Sequence, residues 1–321
     1  MRKLGLGLAL FVAGPLQAAI PFTPIDVPGA FETNPHDIND LGDIAGSYYV
    51  LGEEVRHGFT LIDGIYKTVD APNARYTRIY GMNNAGNLVG YYVDFSDVAR
   101  PFLYVDGVFT TVTLPNPYVP IVASGINDFG QIVGSLDYSN EGLAFIVSNG
   151  NVTSFDFSPT GSGTHPQGIN NFGDITGFYG SGNGWGGFTL ISGEVEHFSI
   201  PNSTTTVSLD INDHGEVVGY YNKIAGGVGS FFKLGEELIT FDIPGDADQA
   251  FTLAGGINNS GAIVGYYHDF SDGSERGFLL NASSLRAVVP EPSTWALMIV
   301  GFGLVGGVIR RRKAWAGDVY A

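Results

Sequence analysis

Between its two ends this chain alternates short apolar, β-branched and aromatic runs with Gly, Asn and Asp. That is the pattern of many short strands joined by tight turns, not of amphipathic helices. The pattern also repeats. The line Ile38-Asn39-Asp40-Leu41-Gly42-Asp43-Ile44-Ala45-Gly46 returns in recognisable form from Met82 to Gly90, Ile126 to Gly134, Ile169 to Gly177, Ile211 to Gly219 and Ile257 to Gly265. Successive copies are 44, 44, 43, 42 and 46 residues apart. A period of this size marks one supersecondary unit written six times.

Each copy predicts four antiparallel strands. The first ends at Ile-Asn (Met-Asn in the second copy), and a turn follows with Gly free to take positive φ. The Asn side chain can bond that turn as an Asx-type cap. A second strand begins as at Ile44. A third is centred on an aromatic: Phe59, Phe102, Phe145, Phe188, Phe231 or Phe278. A Gly-containing turn then leads to a fourth strand, such as Tyr66 to Ala71 or Ile239 to Ile243. Four strands in about 43 residues is the size of a propeller blade. The Gly of the second strand (Gly46, Gly90, Gly134, Gly177, Gly219, Gly265) is expected where sheets converge on an axis.

The sixth copy stops after its third strand. The missing strand has a counterpart at the other end: Ile25-Asp26-Val27-Pro28-Gly29 matches Phe241-Asp242-Ile243-Pro244-Gly245. The expected fold is therefore all-β, a six-bladed β-propeller over residues 20–286 closed by the N-terminal strand, which removes the exposed sheet edges of a linear array. An open β-solenoid is the competing architecture.

The two ends read as addresses. Met1-Arg2-Lys3, the apolar run Leu4 to Gly14 and a small residue near Ala18 or Ala19 form a signal peptide, residues 1–19. An uncleaved anchor is the alternative. Residues 287–321 hold Pro290-Glu291-Pro292, an apolar run over 295–309 that predicts a transmembrane helix, and Arg310-Arg311-Arg312-Lys313 as a cytoplasmic stop.

Composition narrows the function. There are 47 Gly, 22 Phe and 16 Tyr, with 15% charged residues and no Cys, which excludes disulfides, thiolate catalysis and Cys-based metal sites. The formal charge is −17, but six of the fifteen basic residues lie at the ends. Between Ile20 and Val289 nine basic residues face thirty acidic ones, about −21, so nucleic acid is an unsuitable partner.

Candidate chemistry concentrates after the second strand. Tyr91, Asp94 and Asp97 in copy two match Tyr266, Asp269 and Asp272 in copy six. On one propeller face these acids and aromatics could hold a sugar or a cation. Paired carboxylates there could also support hydrolysis. The Asn-Asp-x-Gly-Asp lines look faintly like calcium loops, but apolar strand residues occupy the next ligand positions, so turn chemistry explains them. The six His residues share no repeat position, so no metal cluster is expected. No nucleophile elbow, phosphate loop or dinucleotide fingerprint occurs. No cofactor is expected, calcium apart. Gly180 to Gly187, with Trp185, reads as a loop whose Trp could stack on sugar.

Two resemblances follow from these motifs. Val289 to Lys313 closely resembles the PEP-CTERM sorting domain. The resemblance implies exosortase as processing partner, a membrane-embedded protease or transpeptidase of exopolysaccharide-producing Gram-negative bacteria. Pro290, Glu291 and Pro292 would be its recognition motif, not an active site. It also implies transient inner-membrane anchoring, then a cell-surface or extracellular location. Ile38 to Leu280 resembles the HAF family of extracellular repeats, which implies no defined activity. The expected role is a non-enzymatic binding or structural propeller with a polysaccharide ligand. A carbohydrate-active hydrolase or lyase is the alternative.

Overall fold

The computed structural model describes residues 20–114, 120–136, 142–181, 184–243 and 251–288. The expected signal peptide 1–19, Pro290-Glu291-Pro292 and the predicted helix 295–309 lie outside the described residues. No helix among the described residues is long and apolar enough to cross a membrane.

After a short strand β1 (Thr23–Ile25) come five complete four-stranded antiparallel units. They are β2 (Glu32–Ile38) to β5 (Ile65–Thr68), β6 (Ala74–Met82) to β9 (Val108–Thr111), β10 (Pro120–Ile126) to β13 (Asn151–Phe155), β14 (Thr164–Ile169) to β17 (Glu194–Phe198), and β18 (Ser203–Ile211) to β21 (Glu237–Phe241). The sixth unit is β22 (Thr252–Ile257), β23 (Ala262–Asp269) and β24 (Ser274–Asn281). Its fourth strand is β1, which pairs antiparallel with β24 in the register Thr23–Leu279, Pro24–Phe278 and Ile25–Gly277. The first strands of successive units pack on one another in the cycle β2, β6, β10, β14, β18, β22 and back to β2. The arrangement is propeller-like, with these six strands innermost.

The recurrent Gly is explained within each unit rather than at the axis. It pairs across to the third-strand Phe in all six copies, as Gly46 with Phe59 and Gly265 with Phe278. A Cβ at Gly46 would sit 2.2 Å from the Asn34 carbonyl oxygen and 2.9 Å from the Phe59 ring. The six Phe side chains are fully buried and fill the spaces between units. Truncating one to Ala typically costs about 3–5 kcal/mol.

A helix, α1 (Ala282–Val288), follows β24. Ala282 and Leu285 join a core cluster with Ile20, Phe232 and Ile263. Trp185 is not in a loop: it opens strand β16 (Trp185–Ile191) and packs edge-on to His165 and Phe178.

Candidate functional site

The six turns lock together around the axis. In each, the Asn side-chain oxygen accepts two N–H bonds from its own turn, as Asn39 Oδ1 does from Leu41 (3.0 Å) and Asp43 (2.9 Å). This is the expected Asx cap. The Asn side-chain nitrogen does something the sequence did not reveal: it donates to the Asn carbonyl of the next unit. The chain of donors runs Asn39, Asn83, Asn127, Asn170, Asn212, Asn258 and back to Asn39, at 2.9–3.4 Å.

A second ring lies outside the first. The next residues alternate strictly: Asp40, Asn84, Asp128, Asn171, Asp213, Asn259. Each backbone N–H donates to the following side-chain oxygen at 2.8–2.9 Å. Each Asn amide gives its two hydrogens to the two flanking carboxylates at 2.7–3.2 Å. The alternation matches every donor to an acceptor and keeps carboxylates from adjoining one another.

Just before each turn the innermost strand carries a β-bulge. The skipped residues are His36, Tyr80, Ser124, Gln167, Leu209 and Gly255. A bulge re-aims its extra side chain, and all six line one axial cavity of about 280 Å³. That is the small end of ligand-cavity sizes, enough for a single sugar-sized ring. Arg78, His165 and Phe178 extend the wall, as do Tyr220 and Tyr266 from the second strands.

The cavity's electrostatics are unusual for so acidic a chain. Burial opposes the charge on Arg78, yet the neighbouring Tyr91 and Tyr80 phenols push its ionisation upward. Among the described residues no carboxylate forms a salt bridge with Arg78. His36 is pushed down to about 3 by burial, with Arg78 and Arg56 adding to the effect, so it is a neutral ring. Its Nε2 lies 3.2 Å from Ser47 Oγ. Burial likewise lowers His165. Burial raises Tyr91, Tyr220 and Tyr266. Arg78 is thus the one charged side chain on this wall among the described residues.

The six sequence-predicted residues are divided by the fold. Tyr91 and Tyr266 occupy equivalent second-strand positions; Tyr266 lines the cavity, and Tyr91 stacks on Tyr80 with ring centroids 5.9 Å apart. The four aspartates belong to hairpin turns at the far end of those strands. Asp94 accepts N–H bonds from Val98 and Ser96 and pairs with Arg100 at 2.9 Å, which holds it below the usual carboxylate range. Asp97 pairs with Arg75 at 2.6 Å. Arg276 serves both Asp269 (2.9 Å) and Asp272 (2.6 Å), and the hydroxyls of Ser271 and Ser274 donate to them. Those hydroxyl bonds are the largest cause of the lowered ionisation range of both acids. Among the described residues no group of three or more His, Asp or Glu side chains is placed to hold a metal ion.

The bulge residues escaped sequence reasoning because the six copies agree least there. The signal was available all the same: positions three residues before each Asn break an otherwise regular repeat.

Solved structures of similar fold include TolB from Acinetobacter baumannii, 14% identical with a TM-score of 0.53, covering 76% of this chain; the chain spans 65% of that protein's length. A variant of the Aleuria aurantia lectin in complex with Fucalpha1-6GlcNAc is 12% identical with a TM-score of 0.47, covering 76% of this chain and 89% of the lectin. The β-propeller domain of the Trilobed protease from Pyrococcus furiosus is 13% identical with a TM-score of 0.46, covering 77% and 79%. No curated protein matches the chain. Residues 288–313 match the PEP-CTERM protein-sorting motif, and the chain therefore carries that sorting tail.

Proposed function

We propose that this chain is an exported exosortase substrate whose folded body is a six-bladed β-propeller, closed by its N-terminal strand, that binds an acidic saccharide unit of an exopolysaccharide in its axial channel without converting it. The sorting tail supports the export and processing half of this reading. One arrangement supports the binding half: Arg78, with no salt-bridged carboxylate among the described residues, faces a cavity of about 280 Å³ walled by Tyr80, Tyr220 and Tyr266 with Gln167 and Ser124. Aromatic faces suit the apolar side of a sugar ring, hydroxyl and amide groups suit its polar edge, and a guanidinium suits a carboxylate. The four loop aspartates are engaged by arginines and turn donors, which favours binding over acid–base hydrolysis.

Calorimetry on the full chain in mild detergent tests this. Uronate-containing oligosaccharides should bind, neutral counterparts should bind at least about tenfold more weakly, and Arg78→Gln should erase the difference. Equal affinity for acidic and neutral ligands, or uronate binding untouched by Arg78→Gln, would reject the reading.

A further inference from the structure

Between the wide cavity and the ring of Asn side chains the channel narrows to a neck of about 20 Å³, room for about one water molecule or one ion. Asp37 and Asp210 both line it. They occupy the position that is Gly81, Gly125, Gly168 and Gly256 in the other four units, so two carboxylates replace two of six glycines around one axis. Neither comes from the sorting tail, the turn rings or the saccharide wall.

Each carboxylate is rigidly held. Asp37 accepts N–H bonds from Ile38 (2.7 Å) and, in the next unit, Met82 (2.6 Å). Asp210 accepts from Ile211 (2.8 Å) and, in the next unit, Ile257 (2.8 Å). One donor per oxygen leaves each oxygen a lone pair. Among the described residues no Lys or Arg lines the neck. Two fixed carboxylates around so small a space repel one another unless a proton or a cation lies between them.

An independent observation points the same way. Ser124 Oγ is buried, its residue only 3% exposed, and has no hydrogen-bond partner among the described residues. It lines both the neck and the wide cavity. Gln167 lines the neck too, with its amide nitrogen given to the Pro166 carbonyl, so its side-chain oxygen is the end left to accept.

We propose that the neck holds one divalent cation of the calcium type between Asp37 and Asp210, with Ser124 Oγ and the Gln167 side-chain oxygen in its shell. The donor set is all oxygen and carries two negative charges, which suits a hard cation, and water from the wide cavity completes the coordination. Calcium accepts irregular shells, whereas magnesium demands near-ideal octahedral geometry.

The test is calorimetry with calcium chloride on the full chain in detergent after chelator treatment, with a thermal melt in parallel. Expected are one ion per chain, a higher melting temperature with calcium, and at least tenfold weaker binding of magnesium. Asp210→Asn should weaken calcium at least tenfold and Ser124→Ala severalfold, while Asp269→Asn in the hairpin turn leaves affinity unchanged. If Asp210→Asn fails to fold, the wild-type stoichiometry and Ser124→Ala decide. No saturable binding to wild type, or one-to-one binding that Asp269→Asn abolishes and Ser124→Ala leaves intact, would overturn the proposal.

Discussion

The side-chain nitrogen of Asn258 donates to the carbonyl oxygen of Asn39 at 2.9 Å, joining turns separated by 219 residues of chain. This bond completes a ring whose other five members link consecutive units. Asn258 Oδ1 also caps its own turn through Ser260 and Ala262. Asn258→Ala removes these three bonds and a fourth from the Ser260 hydroxyl (2.7 Å), and at about 1 kcal/mol each the loss should be roughly 2–4 kcal/mol. Urea denaturation measures it. A loss below about 0.5 kcal/mol would show that packing alone closes the ring.

The alternating outer ring makes a charge prediction. Asn84→Asp places a carboxylate between Asp40 and Asp128 and deletes the two donors that join them. The variant should lose about 1–3 kcal/mol near neutral pH, and some of that loss should be recovered with added salt or at low pH as the carboxylates are screened or protonated. Melting curves at low and high salt check this; a loss independent of both would assign the cost to shape rather than charge.

Stability should depend on pH through buried groups of opposite sign, Asp37 and Asp210 raised by burial and His36 lowered by it. Asp37 is pushed up to about 7 by burial. Between the unfolded value near 4 and about 7 the folded chain keeps a proton that the unfolded chain has released, so this contribution is lost as pH rises. His36, pushed down to about 3, works the other way: below about 6.5 only the unfolded chain gains the proton, so stability falls with pH. The two slopes oppose one another in the wild type. Asp37→Asn removes the first, so in chelator-treated protein it should gain on the wild type as pH rises from about 4 to about 7, by at most about 1.4 kcal/mol per unit. Parallel urea curves for the two proteins would contradict it.

Closure by β1 is testable residue by residue. Ile25 is buried, and β1 covers the edge of β24 from Gly277 to Leu279. Ile25→Ala should cost about 2–4 kcal/mol, and hydrogen exchange should quicken first along that edge. Uniform acceleration over all six units would mean that β1 is not a separate closing element.

Much of the fold was legible because it is written in local identity. The Asn turn, the glycine and the third-strand Phe recur in every copy, and Ile25-Asp26-Val27 copies the segment that should close the last unit. The reason for the glycine was not legible: Gly46 makes room for Phe59 inside its own sheet, a contact that needs the register. The site was hidden for a related reason. His36, Tyr80, Ser124 and Gln167 look unrelated until their bulges show that they share one wall. Conversely, Asp94, Asp97, Asp269 and Asp272 looked like a site because their partners could not be seen. Arg75 precedes Asp97 by 22 residues, and no spacing rule pairs them.

The proposed binding role stands or falls on where ligand enters: the axial channel at Arg78, or the hairpin turns at Asp94 and Asp269. A crystal structure of the protein soaked with a uronate-containing disaccharide decides between them. Expected are a sugar carboxylate within hydrogen-bond distance of the Arg78 guanidinium and a sugar ring against Tyr80, Tyr220 or Tyr266. An empty channel, with the disaccharide ordered instead at the turns around Asp94 or Asp269, would contradict the role proposed for the channel.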